Sequence, residues 1–387
     1  MRTADSLSFR LNWTLFDRTV PRVVGASSRS QKDEWKRCRP DSLSTALIML
    51  VLGAILGQPT SSIAATPGKG FERTPLFGRN YVGAEEWANA NAATCKWTRS
   101  SEALLLTSEK FKLLLTVNSQ KAMLNGVQIW LSAPIAMHQS AVYISECDLQ
   151  TLMHPILFPQ RRDHRVKTIV LDPGHGGKDR GKPAGIQEEK THTLALAKIL
   201  KPLLETKGYT VAMTRSEDIT LVLEDRSEIA RQKGGDLFVS LHFNSAGEGG
   251  PGVHGIEVYC MTPAGESSTN GTNDPAERNF APGNKLDTQN AALGYHVQRA
   301  LANRSGQEDR GLRRARFAVL KMAHMPSILI EGGFLSNPRE AKLIASTSYR
   351  RKLAEAIAAG IEDYVRLTNP IDRKGSKPST HKASKGG

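Results

Sequence analysis

Thr168-Ile169-Val170-Leu171-Asp172-Pro173-Gly174-His175-Gly176-Gly177 decides how this chain is read. An aliphatic, β-branched run ends in Asp-Pro, and a glycine-flanked histidine follows. Glycines on both sides of His175 permit a sharp turn after the strand and leave room beside the imidazole for a ligand. Two further segments have the same construction. Leu237-Phe238-Val239-Ser240-Leu241-His242-Phe243-Asn244 ends near a histidine, and Ile328-Leu329-Ile330-Glu331-Gly332-Gly333-Phe334 carries a carboxylate after its apolar run. In open α/β sheets, ligands bind beyond the carboxyl ends of the strands. If these runs are strands of one sheet, His175, His242 and Glu331 meet at that edge. Two imidazoles with a carboxylate form a donor set suited to zinc.

A catalytic zinc site needs a third protein ligand and an open position for water. Glu188 and Glu189 both stand where the next helix is expected to begin, and a carboxylate in a first helical turn is held rigidly. Glu331 then fits a general base that takes a proton from the attacking water. Sequence order leaves the roles of Glu189 and Glu331 interchangeable. A metal-activated water removes the need for a Ser or Cys nucleophile. The glycines around His175 are not a phosphate loop, since no Gly-Lys-Ser/Thr follows at the required spacing. His192 lies three residues past Glu189, but the chain has no second Glu-x-x-His helix of the kind found in di-metal bundles. Asp172 is expected to orient His175.

Working outward, residues 166–367 alternate strand and helix. Leu194, Ala197, Leu200, Leu203 and Leu204 recur at helical spacing after Glu189, and Gly208 ends that run. Strands are expected at 209–213, 236–241, 256–261 and 327–330, with helices near 223–230, 288–303 and 353–364. This pattern predicts an α/β fold with a mostly parallel twisted sheet and flanking helices. Residues 81–158 predict a smaller β-rich α+β domain, with strands at 103–107, 112–117 and 127–131, the turn Asn125-Gly126, and a short helix from Ser145 to Met153. Trp87, Trp97 and Trp130 are read either as core or as a carbohydrate platform. The Gly/Pro/Thr-rich stretch 65–80 reads as a linker, and 368–387 as a disordered basic tail.

The 387 residues carry 52 Lys+Arg against 38 Asp+Glu, a net charge of +14. Such a surplus favours an anionic partner surface. Without basic-aromatic interleaving, nucleic acid is set aside as a partner. The apolar run from Leu43 to Leu56 follows Arg37 and Arg39 and is shorter than the roughly 20 residues of a membrane span. It reads as the core of an export signal covering 1–64, with cleavage after Ser62-Ile63-Ala64, or else as an uncleaved anchor. The basic segment ahead of it is unusually long. Localisation outside the cytoplasm follows, in the periplasm or cell envelope. Of the four cysteines, Cys95 and Cys147 are candidates for a disulfide in an exported protein, and Cys260 for a buried small hydrophobe.

Over roughly residues 167–366 these segments resemble the zinc-dependent N-acetylmuramoyl-L-alanine amidases, which cleave peptidoglycan. The resemblance rests on Asp172-Pro173-Gly174-His175-Gly176-Gly177, on Glu189-Lys190 with Leu194, on Ser240-x-His242-x-Asn244, and on Glu331-x-Gly333-Phe334-Leu335-Ser336-Asn337. Thr214-Arg215, Arg226, Gly255-Ile256-Glu257 and Arg310-Gly311 also fit. It implies Zn2+ held by His175, Glu189 and His242, with Glu331 catalytic and Glu189 preferred to Glu188. The reaction implied is hydrolysis of the amide between the lactyl group of muramic acid and L-alanine. Arg310 and Asn244 are the candidate substrate contacts, Arg310 binding a carboxylate or pairing internally. Peptidoglycan is the implied partner, with room for a protein activator. Some relatives plug the zinc site with a helix near residues 262–287, but here the segment holds Pro263, Gly265, Gly271, Pro275, Pro282 and Gly283 and suits a loop. The preceding domain loosely resembles the copper amine oxidase N-terminal type.

Overall fold

The computed structural model describes residues 70–181, 188–246, 250–271 and 278–371. The chain opens with β1 (Arg73–Leu76), β2 (Arg79–Gly83), α1 (Ala84–Ala90), β3 (Thr94–Arg99), β4 (Ala103–Thr107), β5 (Lys112–Thr116), β6 (Lys121–Leu124), β7 (Val127–Trp130), β8 (Ala136–His138) and β9 (Ala141–Ser145). Helices α2 (Glu146–Asp148) and α3 (His154–Leu157) flank one π-helical turn, Leu149–Met153. The second unit runs β10 (Thr168–Pro173), α4 (Glu189–Glu205), β11 (Thr210–Met213), α5 (Leu223–Gln232), β12 (Leu237–Asn244) and β13 (Ile256–Met261). It continues through α6 (Asp287–Arg304), β14 (Asp309–Ala315), α7 (Ala318–Lys321), β15 (Ser327–Phe334), α8 (Pro338–Ala345) and α9 (Thr347–Thr368).

The expected α/β sheet is present, in the order β11-β10-β12-β15-β13-β14. It is parallel from β11 to β15 and reverses at β13, which runs antiparallel to β15. The reversal has a simple cause. β12 ends at Asn244 and β13 begins at Ile256 on the same sheet edge, too close along the chain for the crossover of about a dozen residues or more that a parallel return needs. Strands β10, β12 and β15 are buried almost throughout, which explains their unbroken apolar runs. α4, α6 and α9 cover one face, burying Leu196, Leu200, Leu293, Val297, Leu353, Ile357 and Ile361. α5 and α7 lie on the other face beside Phe238 and Tyr259.

The smaller β-rich domain adds its strands to this same sheet. β7 pairs with β14 through Leu312 and Ile129, giving the eleven-stranded order β11-β10-β12-β15-β13-β14-β7-β6-β5-β4-β3. A second sheet, β1-β2-β9-β8, packs within the N-terminal unit. One hydrophobic core runs through both units, from Leu113, Leu115 and Ile129 to Leu293 and Ile357. Asp148 reinforces the junction. Its fully buried carboxylate accepts from the backbone N–H groups of Ser132 (2.8 Å) and Ala133 (3.2 Å) and lies 3.5 Å from the buried Arg314 guanidinium of β14.

Several expectations need correction. Residues 73–80 are not linker. Phe77 and Gly78 both take positive φ, 50° and 73°, the geometry of a tight hairpin turn, and β1 and β2 form on either side of it. Cys95 and Cys147 are free thiols. Cys95 faces Leu106 in the large sheet, whereas Cys147 sits beside Thr151 in the helical segment. Cys260 is buried as expected. The tryptophans share no platform, since Trp87 is core against Phe111, Trp97 is exposed on β3, and Trp130 donates to the Arg310 carbonyl. The segment after Met261 starts at the edge opposite Glu331 because β13 is reversed. It binds back onto β14 through Thr269 and contains the 3-10 turn Pro282–Leu286, with 272–277 outside the described residues. Residues 1–64, read from the sequence as an export signal, and residues 372–387 also lie outside them. No helix among the described residues is long and apolar enough to cross a membrane.

Breaking a buried ion pair by removing one partner costs about 3–5 kcal/mol. Asp148→Ala is therefore expected to lower unfolding stability by about that amount. Chemical denaturation checks this, and a loss below about 1 kcal/mol would show that Asp148 does not secure the junction.

Candidate metal centre

The parallel register sets the site. Asp172 and Pro173 pair with Ser240 and Leu241 on β12, His242 pairs with Glu331 on β15, and Glu331 pairs with Glu257 on β13. His175 sits one turn beyond β10 with φ 61°, a left-handed value uncommon outside glycine. The turn is held by paired backbone bonds between Gly176 and Asp179 (2.8 and 3.1 Å). Two arginines clamp it from below. Arg215 donates to the carbonyls of Pro173, Gly174 and Lys190, and Arg226 donates to those of Pro173 and His175.

Glu189 opens α4, where a carboxylate is favoured by the helix dipole. Its Oε2 lies 3.0 Å from His175 Nε2, and its Oε1 lies 2.9 Å from His242 Nδ1. The Phe243 N–H donates to the same Oε1 at 3.1 Å. The two imidazole centroids are 4.9 Å apart with planes at 81°, and one ligand atom from each of the three residues lies within 4.8 Å of the others. Gly174 is required here, because a Cβ would fall 2.2 Å from His242 Cε1.

Burial disfavours charge on Glu189, but hydrogen bonds from His175 and His242 outweigh it and hold the carboxyl down at about 2. Burial also opposes a charged His175, while hydrogen bonds to Asp179 and Glu189 push it up to about 9. Positive charge is thus stabilised beside Glu189. Two imidazoles, one carboxylate and converging donor atoms fit a zinc ion.

Sequence reasoning missed Asp179. Its Oδ2 lies 2.8 Å from His175 Nδ1, which directs Nε2 toward the centre, the usual role of a carboxylate behind a metal-binding imidazole. A carboxylate four residues after the histidine was the available signal. Asp172 does not orient His175. It is buried between strands and accepts from Thr214 Oγ1 (2.6 Å), Ser240 Oγ (2.8 Å) and Arg226 Nη1 (2.8 Å). His192 packs edge-on against Phe243 and stays outside the ligand group. Glu188 pairs with Lys190 and Arg180 instead.

Glu331 is nearly buried, one strand from His242. Next to it, Glu257 gathers four partners. Its Oε2 accepts from Arg310 Nε and Arg313 Nη1, both at 2.9 Å, and its Oε1 from Asn244 Nδ2 and the Tyr259 hydroxyl, both at 2.8 Å. Burial opposes its charge, but Arg313 and Arg310 keep the carboxyl below its ordinary value. Arg310 and Asn244, both expected at the substrate, therefore meet at Glu257. Glu340 was also missed. From α8 it accepts the backbone N–H groups of Gly255 (2.8 Å) and Phe334 (2.6 Å), fixing the ends of β13 and β15 that carry Glu257 and Glu331.

The pattern of the N-acetylmuramoyl-L-alanine amidase family matches residues 169–363, half of the chain. The chain belongs to that family. The copper amine oxidase N-terminal domain matches residues 71–147, in keeping with the β-rich unit ahead of the amidase domain. The amidase AmiA of Salmonella typhimurium is 30% identical over 277 residues, 66% of this chain and 94% of that protein. AmiC of Neisseria meningitidis serogroup B is 37% identical over 227 residues, 53% of this chain and 54% of that protein, so the match spans about half of that relative. The solved structure of the amidase AmiC2 of Nostoc punctiforme is 34% identical, covering 52% of this chain and 97% of that chain, with a TM-score of 0.44.

Loss of a carboxylate behind a ligating histidine typically costs 10–100-fold in metal affinity. Asp179→Ala in this amidase is expected to weaken zinc binding by roughly 10–100-fold, measured by competition with a chromogenic chelator. Unchanged affinity would remove Asp179 from the site.

Proposed function

We propose that this family member is a zinc-dependent peptidoglycan hydrolase that cleaves the amide between the muramic acid lactyl group and L-alanine. The observation that carries the reading is the convergence of His175, Glu189 and His242 on one point, with Glu331 on the adjacent strand. Zinc held by these three residues would supply Lewis-acid activation of water and of the scissile carbonyl. The chain's own groups do the remaining work. Glu331 takes a proton from the attacking water at its carboxylate and returns it to the departing amide nitrogen, as one group acting first as base and then as acid. Its near-complete burial keeps bulk water from competing for that proton. Asp179 holds His175 in the ligating orientation. Asn244 and Arg310, tied together through Glu257, are assigned to the substrate.

Residues 1–64 hold nine Lys/Arg and five Asp/Glu, so of the formal +14 the chain keeps +10 once they are removed, which suits attraction to an acidic wall polymer, an attraction that salt screens. With the apolar run 43–56 read as an export signal, the site of action is the periplasm or cell envelope.

General acid–base groups contribute about 10²–10⁴-fold. Glu331→Gln is expected to lower kcat by roughly that factor while zinc content is retained. Purified peptidoglycan digested with the wild type is expected to release intact stem peptides beginning with L-alanine, identified by mass spectrometry. Shortened stems still attached to glycan would reassign the chain as a wall peptidase.

A further inference from the structure

Side chains of the N-terminal unit reach the row of residues that runs out from the metal centre. Gln128 Nε2 and Trp130 Nε1 both donate to the Arg310 carbonyl, at 2.7 and 2.9 Å. The Gln128 backbone N–H donates to Asp309 Oδ2 at 3.0 Å. The Arg313 guanidinium stacks on the Trp130 ring at 4.5 Å from the centroid, and the Lys121 ammonium lies 4.9 Å from the same ring. The fit is close, because a Cβ on Gly311 would come within 2.7 Å of the Gln128 carbonyl oxygen. With cations at that ring, Trp130 does not serve as a sugar-stacking surface. It acts as a support for the arginines of β14.

Those arginines differ in access. Arg313 is 12% exposed in its side chain and Glu257 1%, whereas Arg310 is 27% exposed. Two guanidinium groups share the Glu257 carboxylate, and Arg310, the more exposed of the two, is the one a ligand reaches. The Arg310 guanidinium also lies over the Phe334 ring, 4.9 Å from its centroid, at the carboxyl end of the strand that carries Glu331. β14 is two strands from β15, roughly 10 Å at about 4.8 Å per strand. An extended peptide covers that distance in about three residues.

We propose that the N-terminal unit is part of the substrate site, with Gln128 and Trp130 as positioning residues that hold Arg310 to bind a carboxylate of the stem peptide. The proposal rests on the amidase reading and adds to it the charge class recognised beyond the scissile bond. Arginine suits the task because its planar fork pairs with a carboxylate through two parallel hydrogen bonds.

The test uses the full chain loaded with zinc and two soluble substrates. One is an N-acetylmuramoyl tripeptide with free carboxylates, and the other is the same compound with those carboxylates converted to carboxamides. A charge-assisted hydrogen bond lost from the second is expected to lower kcat/KM by about 10-fold or more, mainly through KM. Arg310→Gln and the double variant Gln128→Ala, Trp130→Ala are both expected to bring the ratio between the substrates close to one. Trp130→Phe keeps the ring but removes the N–H donor, and is expected to give an intermediate ratio even if the double variant folds poorly. A wild-type ratio near one would overturn the proposal. So would Trp130 variants that slow both substrates equally and keep the ratio. A wild type that cleaves neither substrate would instead overturn the amidase reading, and the proposal with it.

Discussion

The buried carboxylate of Asp172 is the constraint on which the site depends. It sits at the level where β10 ends and accepts hydrogen bonds from Thr214, Ser240 and Arg226. One side chain thereby ties β10 to the end of β11, to β12 and to α5. A buried ion pair is weak evidence for stability in itself, since desolvating two charges offsets much of their attraction. Its effect here is geometric. The same Arg226 that pairs with Asp172 donates to the His175 carbonyl, so the turn that carries His175 is braced from within the core.

From that anchor the residues of the candidate site follow by register. His242, Glu331 and Glu257 occupy paired positions on three neighbouring strands, and Glu189 reaches the first of them from the start of α4. The reversal at β13 is what brings Glu257 to the same edge as Glu331, and Glu340 locks that edge by accepting two backbone N–H groups. Because β14 continues into β7, the edge extends into the N-terminal unit without a break in the sheet. The junction combines a shared core, the buried Asp148–Arg314 contact and hydrogen bonds to the Arg310 carbonyl. The second unit is built into the sheet that carries the site.

Much of this was legible in the residues, for reasons specific to each segment. Strands buried on both faces show as continuous apolar runs, so β10, β12 and β15 stood out, and the side chains at their ends, His175, His242 and Glu331, drew the eye to the edge where the candidate metal group lies. Other elements were hidden by their chemistry. β14, Asp-Arg-Gly-Leu-Arg-Arg-Ala, has no apolar period, because its arginines are accommodated by Glu257, Asp148 and the Trp130 ring. The β1–β2 hairpin is short and polar, and its turn depends on positive φ at Phe77, a residue that gives no turn signal. Asp172 misled because closeness in sequence to His175 does not mean contact. A turn separates them, and the carboxylate points between strands while the imidazole lies beyond the edge. The Cys95–Cys147 pairing failed because nothing in their spacing reveals that one lies in the large sheet and the other in a helical segment.

Zinc K-edge X-ray absorption of the purified full chain tests the central claim most directly. The expected spectrum shows light-atom coordination only, with two imidazole ligands giving their multiple-scattering pattern and carboxylate and water oxygens, at about 2.0–2.2 Å. A sulfur shell at about 2.3 Å, or a spectrum with no imidazole scattering, would contradict the assignment of His175, Glu189 and His242 as the metal centre.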